Sequence, residues 1–168
     1  MIAEGLPPLW SMMIWGLAAT VAMTTILQGA QGLGLSRLSL PFLAGTFFTG
    51  DRRKAVIVGF AFYVAGGWLF AFLYFLLFAS LGLYTWWLGA VVGLLHGLFL
   101  LVCALPLLPY LHPRMASEYD GVSALRQLEP PGFMGLNYGH RTPLATLAGQ
   151  AIYGAVLGGL PQIQHILG

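Results

Sequence analysis

Apolar residues in this chain run together rather than alternating with polar ones. Four stretches are apolar almost throughout, at about 10–33, 55–81, 86–108 and 143–160. An α-helix needs roughly 20 residues to cross about 30 Å of hydrocarbon, and these stretches reach or approach that length, the last with least to spare. Lipid offers no partner for backbone N–H and C=O groups, so helices are the default. Two polar-bearing stretches, about 34–54 and 109–142, separate the first span from the second and the third from the fourth. The link from Gly82 to Thr85 is so short that the second and third spans should form a tight hairpin. The expected fold is all-α. It is a polytopic membrane protein, one transmembrane domain over 1–168, with four transmembrane helices as two antiparallel hairpins and interfacial segments on the cytoplasmic side.

Helix boundaries can be assigned from local chemistry. Thr142 before Pro143 reads as an N-cap with proline at the first helical position. Asp51 can cap the second span, and Pro106 and Pro109 are expected to end the third. Between the spans, PFLAGTFFTG (41–50) is too short to cross and suits an interfacial or re-entrant position. SEYDGVSALRQLE (117–129) reads as a short amphipathic helix, with Ala124, Leu125 and Leu128 toward the membrane. FMGLNYG (133–139), with its aromatic rings and glycines, reads as an interfacial lid. LPFL (40–43) and LPLL (105–108) hint at a duplication of helical hairpins.

Composition removes the soluble alternative. Hydrophobic residues make up 58% and charged residues 7%, whereas soluble domains run near a quarter charged. Mean hydropathy is +0.83. A net charge of +2 gives no reason to expect nucleic acid as a partner. The lone Cys103 excludes an intrachain disulfide, and zinc-ligand spacing is absent.

The placement of charge sets the expected topology. Arg37, Arg52, Arg53 and Lys54 lie between the first two spans, and Arg114, Arg126 and Arg141 between the last two; the opposite side carries only Glu4. By the positive-inside rule both long loops are cytoplasmic and both termini outside. No Lys or Arg precedes the first apolar run, which is therefore read as a mature helix rather than a signal peptide.

Polar residues inside the spans are the candidate chemistry. Thr20, Thr24, Gln28 and Gln31 fall on one helix face and should turn inward, to interhelical hydrogen bonds or a polar path. His96 lies mid-span, where an ionisable side chain is a candidate site. Gln150, Tyr153 and Tyr63 are its candidate partners. A buried hydrogen-bonding role, a proton relay and an axial contact to haem or pigment all remain open. No second histidine matches its depth for bis-histidine haem, and the sequence requires no cofactor. Gly89, Gly93 and Gly97 form a close-packing ladder, with Ala151, Ala155 and Gly159 as a comparable set in the last span and Gly154 and Gly158 on the adjoining row. Arg52, Arg53, His112, Arg114, His140 and Arg141 gather near one interface, as an ion-paired rim or a headgroup site. Asp51, Glu118 and Asp120 belong to the same edge. Paired carboxylates are absent from the spans, and HExxH, GxSxG and Walker-type motifs are absent from the chain. An enzyme is not expected.

ATVAMTTILQGAQGLGLSRLSLPFLAGTFFT, GLLHGLFLL, LPYLHPRM and LEPPGFMGLNYGHRTPLATLAGQAIYGAVLG together resemble a family of bacterial four-helix integral membrane proteins. The resemblance covers nearly the whole chain and implies no activity. Three functions are compatible with these readings. One is a non-catalytic accessory or scaffolding subunit of a larger membrane (bioenergetic) assembly, which is favoured. The second is a small oligomeric transporter or channel. The third is a binder of lipid, quinone or pigment. The expected partners are membrane lipids and other membrane subunits or further copies of the chain.

Overall fold

The structure is a computed structural model describing residues 6–118, 121 and 123–167, with side chains described only to Gly159 in the last helix. Glu4, Asp120 and the C-terminal side chains fall outside it. Among the described residues all regular elements are helical. They are α1 (Leu9–Gly32), α2 (Leu40–Thr46), α3 (Arg52–Leu81), α4 (Trp86–Phe99), a π-helical turn (Leu100–Ala104), α5 (Leu105–Leu111), a 3-10 segment (Phe133–Tyr138) and α6 (Thr142–Leu167). Three of them are long and apolar enough to cross a membrane: Leu9–Gly32, Arg52–Leu81 and the continuous helix Trp86–Leu111. A multi-pass membrane protein fits these three helices.

That third helix corrects an expectation. Pro106 and Pro109 do not end it; helical chain continues through both to Leu111. Proline removes a donor and pushes against the carbonyl four residues earlier. The π turn at Leu100–Ala104, immediately before Pro106, widens the ladder and leaves room for the ring. Elsewhere the boundaries follow local chemistry. At the end of α3, Leu83 N–H donates to Phe78 O at 3.1 Å and Gly82 N–H to Ala79 O at 3.2 Å. This is a Schellman ending, and Gly82 supplies its positive φ of 64°. Asp51 Oδ1 accepts from Lys54 N–H at 2.9 Å and caps α3. Thr142 does begin α6, but its hydroxyl pairs with Ser36 Oγ at 2.8 Å, across 106 residues.

The chain divides into two compact units. The first is drawn from Met1–Ile26, Val64–Gly97 and Leu147–Gly168, the second from Leu27–Tyr63 and Leu98–Thr146.

In the first unit, α1 meets α3 at Gly16, where an added Cβ would lie 3.0 Å from Ala71 Cβ and from Trp68 Cδ1. Trp68 Nε1 donates to Met13 O at 3.0 Å. One turn on, Gly67 lies against Thr20 of α1, and its carbonyl accepts from Tyr153 Oη of α6 at 2.5 Å. A Gly67→Ala Cβ would sit 2.3 Å from Thr20 Oγ1, while Gly66 has nothing within 4 Å. Gly67→Ala is therefore expected to cost about 1–3 kcal/mol by overpacking. Gly66→Ala should be neutral or slightly stabilising, since alanine is the better helix former. Thermal unfolding of the two variants in detergent checks this; equal midpoints would refute the packing.

Backbones of α4 and α6 touch directly. Cβ atoms added at Gly89, Gly93 and Gly154 would come within 2.0 Å of Gly154 O, 2.1 Å of Gln150 O and 1.9 Å of Gly89 O. The α4 ladder thus packs as its spacing suggests, but the α6 row facing it is Gln150, Gly154 and Gly158. The row of Ala151, Ala155 and Gly159 approaches α4 less closely: a Cβ at Gly93 would lie 3.0 Å from Ala151 Cα, and one at Gly159 would lie 3.1 Å from Trp86 Cβ.

In the second unit, Ser39 caps α2 and Pro41 opens it. This short helix packs onto the start of α3, where a Cβ at Gly45 would meet Ala55 O at 1.7 Å and one at Gly59 would meet Pro41 O at 1.8 Å. The expected amphipathic helix over 117–129 does not form among the described residues. Its backbone groups bond across a loop instead. Ala116 N–H donates to Leu128 O and Leu128 N–H to Arg114 O, both at 3.0 Å, and Gly121 turns the chain with its N–H on Ser117 O. Leu125 is left 77% exposed. The Phe133–Tyr138 segment is kinked by positive φ at Met134 (54°) and Gly135 (72°). It lies against the chain after α1, where Tyr138 O accepts from Arg37 N–H at 2.6 Å.

Candidate functional site

Within the first unit, α3, α4 and α6 bring four polar side chains into one seam. His96 Nδ1 lies 3.2 Å from Tyr74 Oη. The Phe70 ring sits 4.3 Å from the imidazole, centroid to centroid. Tyr74 meets Tyr153 edge-on at 5.5 Å, and Tyr153 is in turn anchored to Gly67 O. Gln150, one turn before Tyr153, packs its Cβ and Cγ over Gly97, 3.2 and 3.3 Å from where a Cβ would stand.

The hydrogen bonds in this seam do not close. The phenol is the natural donor to Nδ1, which places the imidazole proton on Nε2. Nε2 is buried with no partner. Gln150 Oε1 is buried and unpartnered too, on a residue only 4% exposed. One is then a donor and the other an acceptor. Leaving either unpaired in an apolar medium costs several kcal/mol, roughly 2–7 on transfer scales. The seam is thus chemically suited to a small group that offers both an acceptor and a donor, as a hydroxyl does.

The remaining intramembrane candidates are placed differently. Thr20 Oγ1 donates to Gly16 O at 2.7 Å and Thr24 Oγ1 to Thr20 O at 2.6 Å. Both hydroxyls bond back onto their own helix. Gln31 Nε2 donates to Leu38 O at 2.6 Å just beyond the helix end. Gln28 is exposed, and both Gln28 and Tyr63 belong to the second unit, not to that of His96. Tyr74 and Phe70 are the partners that sequence reading missed. Counting equal distances from the middle of the Gly82–Thr85 link lands between them, which was the available signal.

The cationic edge lies in the second unit, and much of it is spent internally. His112 is 1% exposed. Its Nε2 faces Leu43 O at 3.2 Å and Thr46 Oγ1 at 3.1 Å, and its Nδ1 accepts from Arg114 N–H at 3.1 Å. A carbonyl only accepts, so the proton is on Nε2. Burial holds the His112 pKa below its ordinary value; the Leu43 hydrogen bond opposes this and the Arg114 charge adds to it. Arg114 donates through one terminal nitrogen (Nη1) to Thr46 O at 2.7 Å and Phe47 O at 2.9 Å, closing the end of α2. His112 and Arg114 therefore staple the end of α2. Arg37 reaches Glu129 at 3.3 Å and Asn137 O at 2.5 Å. Arg52, Arg53, His140 and Arg141 remain exposed. Tyr138, whose hydroxyl donates to Glu129 O at 2.6 Å, has its pKa pushed up to about 12 by burial and then by the Glu129 charge. Among the described residues no group of three His, Cys, Asp or Glu is placed to hold a metal ion.

Comparison with family models, with curated proteins and with solved structures finds no match, so the four-helix resemblance stands as a likeness of motifs.

Proposed function

We propose that this protein is a non-catalytic, multi-pass membrane protein that serves as an accessory or scaffolding subunit of a larger, bioenergetic membrane assembly. In this reading α6 is a fourth span, the helices form two antiparallel hairpins, the termini lie outside, and the long loops are cytoplasmic. The observation that carries it is the outer surface of α3. Only 11% of its most apolar 18-residue window is buried, and Ile57, Phe60, Leu69 and Leu73 stand outward. Such a face suits lipid or neighbouring apolar helices. The glycine seams do not compete for partners, because Gly89, Gly93, Gly154 and Gly158 are consumed within the first unit. Extraction from native membranes in mild detergent, followed by native mass spectrometry, tests the reading. Co-extraction with other membrane subunits is the expected result; a monomer running alone would overturn it.

The unpaired His96 Nε2 and Gln150 Oε1 favour a second reading, a ligand binder or small transporter using this seam. His96→Phe separates the two. In the scaffolding reading the variant loses one hydrogen bond and leaves Tyr74 Oη unpaired, about 1–3 kcal/mol, which a further Tyr74→Phe change restores. In the ligand reading the purified protein carries a bound molecule whose mass disappears in His96→Phe and does not return in the double variant.

A further inference from the structure

Three of the chain's seven cationic side chains are internally engaged, and one cluster is not. Arg37 is paired to Glu129, Arg114 closes α2, and Arg126 reaches Met115 O. Arg52, Arg53 and Lys54, consecutive at the start of α3, are exposed, and none of their side chains is engaged among the described residues. The nearby acid, Asp51, caps the helix through its contact with the Lys54 N–H, so the helix end itself is already occupied. The cations are joined to an apolar strip. Arg53, Ile57 and Phe60 follow at i, i+4 and i+7, on the side of α3 opposite Ala55 and Gly59, which face α2. Ile57 is 68% exposed, and Phe60 is exposed with it. Phe48 stacks on Phe62 at 4.4 Å nearby, both rings exposed.

We infer that the start of α3 binds an anionic phospholipid. The phosphate lies among Arg52, Arg53 and Lys54, and an acyl chain runs along Ile57 and Phe60. Positive charge directly above an uncovered apolar strip matches the build of such a lipid, and a free anion would leave the strip uncovered. Each cation near an anionic headgroup adds attraction on a scale that compounds across three residues. This rests on α3 being membrane-embedded, but not on the subunit role.

Native mass spectrometry of the full chain in detergent tests it, with phosphatidylglycerol and phosphatidylcholine added in parallel. Phosphatidylglycerol should be retained at least about tenfold better. In Arg52→Gln/Arg53→Gln/Lys54→Gln the preference should vanish, while Arg37→Gln keeps it. Ile57→Ser/Phe60→Ser should weaken retention of both lipids. Equal retention of the two lipids by the unaltered chain would overturn the proposal, as would a preference that survives the triple change. Inorganic phosphate displacing the lipid at equal concentration would show a free-anion site and also overturn it. A chain that retains phosphatidylglycerol yet runs alone defeats only the subunit reading. Release from membranes by a carbonate wash without detergent defeats the embedded reading, and the lipid site with it.

Discussion

Gly154→Ala is expected to unseat α6 from α4. The new Cβ would lie 1.9 Å from Gly89 O and 2.8 Å from its carbonyl carbon. Both are backbone atoms, so no side chain can swing aside and the helices must part by more than an ångström. Overpacking typically costs about 1–3 kcal/mol, and this contact belongs at or beyond the top of that range because the same seam also brings Gly93 of α4 and Gly158 of α6 against facing backbone. The consequence extends along the seam. Tyr153 and Gln150 ride on α6, so the Tyr74 contact and the Gly97 contact loosen together. Gly159→Ala is the control: its Cβ would meet Trp86 Cβ at 3.1 Å, so a shift of a few tenths of an ångström relieves it. Thermal unfolding in detergent, followed by tryptophan fluorescence, should show a large loss for Gly154→Ala and a small change for Gly159→Ala. If Gly159→Ala were the more damaging, the assignment of the facing row would be wrong.

The second large effect is expected at His112. His112→Ala removes a buried ring, opens a cavity beneath Phe47 and leaves the Arg114 N–H without its partner, while Thr46 Oγ1 keeps its bond to Leu43 O. The cavity and the unpaired Arg114 N–H together suggest a loss of about 3 kcal/mol. The residue also makes stability depend on pH. Its folded pKa lies below the ordinary value near 6.5. As pH falls through 6.5 the unfolded chain takes up a proton that the folded chain refuses. Stability present above 6.5 is therefore lost progressively as pH drops toward the folded pKa. His112→Gln should be less stable at neutral pH and should lack that part of the slope. Unfolding midpoints between pH 7.5 and 5.5 measure it; an unchanged slope would remove His112 as its source.

Several features of the fold are legible in the sequence because they depend on local chemistry. Gly82 ends α3 because the reversal needs a positive φ. Asp51 caps α3 because a carboxylate there can reach the Lys54 N–H. The candidate site was only half legible. His96 announces itself as a lone ionisable group in an apolar run, and Gln150 and Tyr153 were named with it. Tyr74 was not, since nothing in its own neighbourhood marks it; its role comes from α3 and α4 being turned toward each other at that level. His112 looked like an edge cation for the same reason in reverse. Burial by Leu43, Thr46 and Phe47, more than 60 residues away, makes it a staple.

By itself the sequence determined the class of the molecule and the position of its long helices. Runs of apolar residues and turn-forming glycines act over a few residues, and lipid allows few alternatives to a helix. Tertiary structure decided how each helix is rotated. Helices apolar on nearly every side carry little preference for one face, so contact alone selects the Gln150–Gly154–Gly158 row over its neighbour. It decided that Pro106 is absorbed by a π turn, that the Thr20 and Thr24 hydroxyls bond back onto α1, and that Leu128 pairs with Arg114 and Ala116 instead of continuing a helix. Each outcome turns on which donor meets which acceptor. Where those partners are far apart in sequence, only packing brings them together.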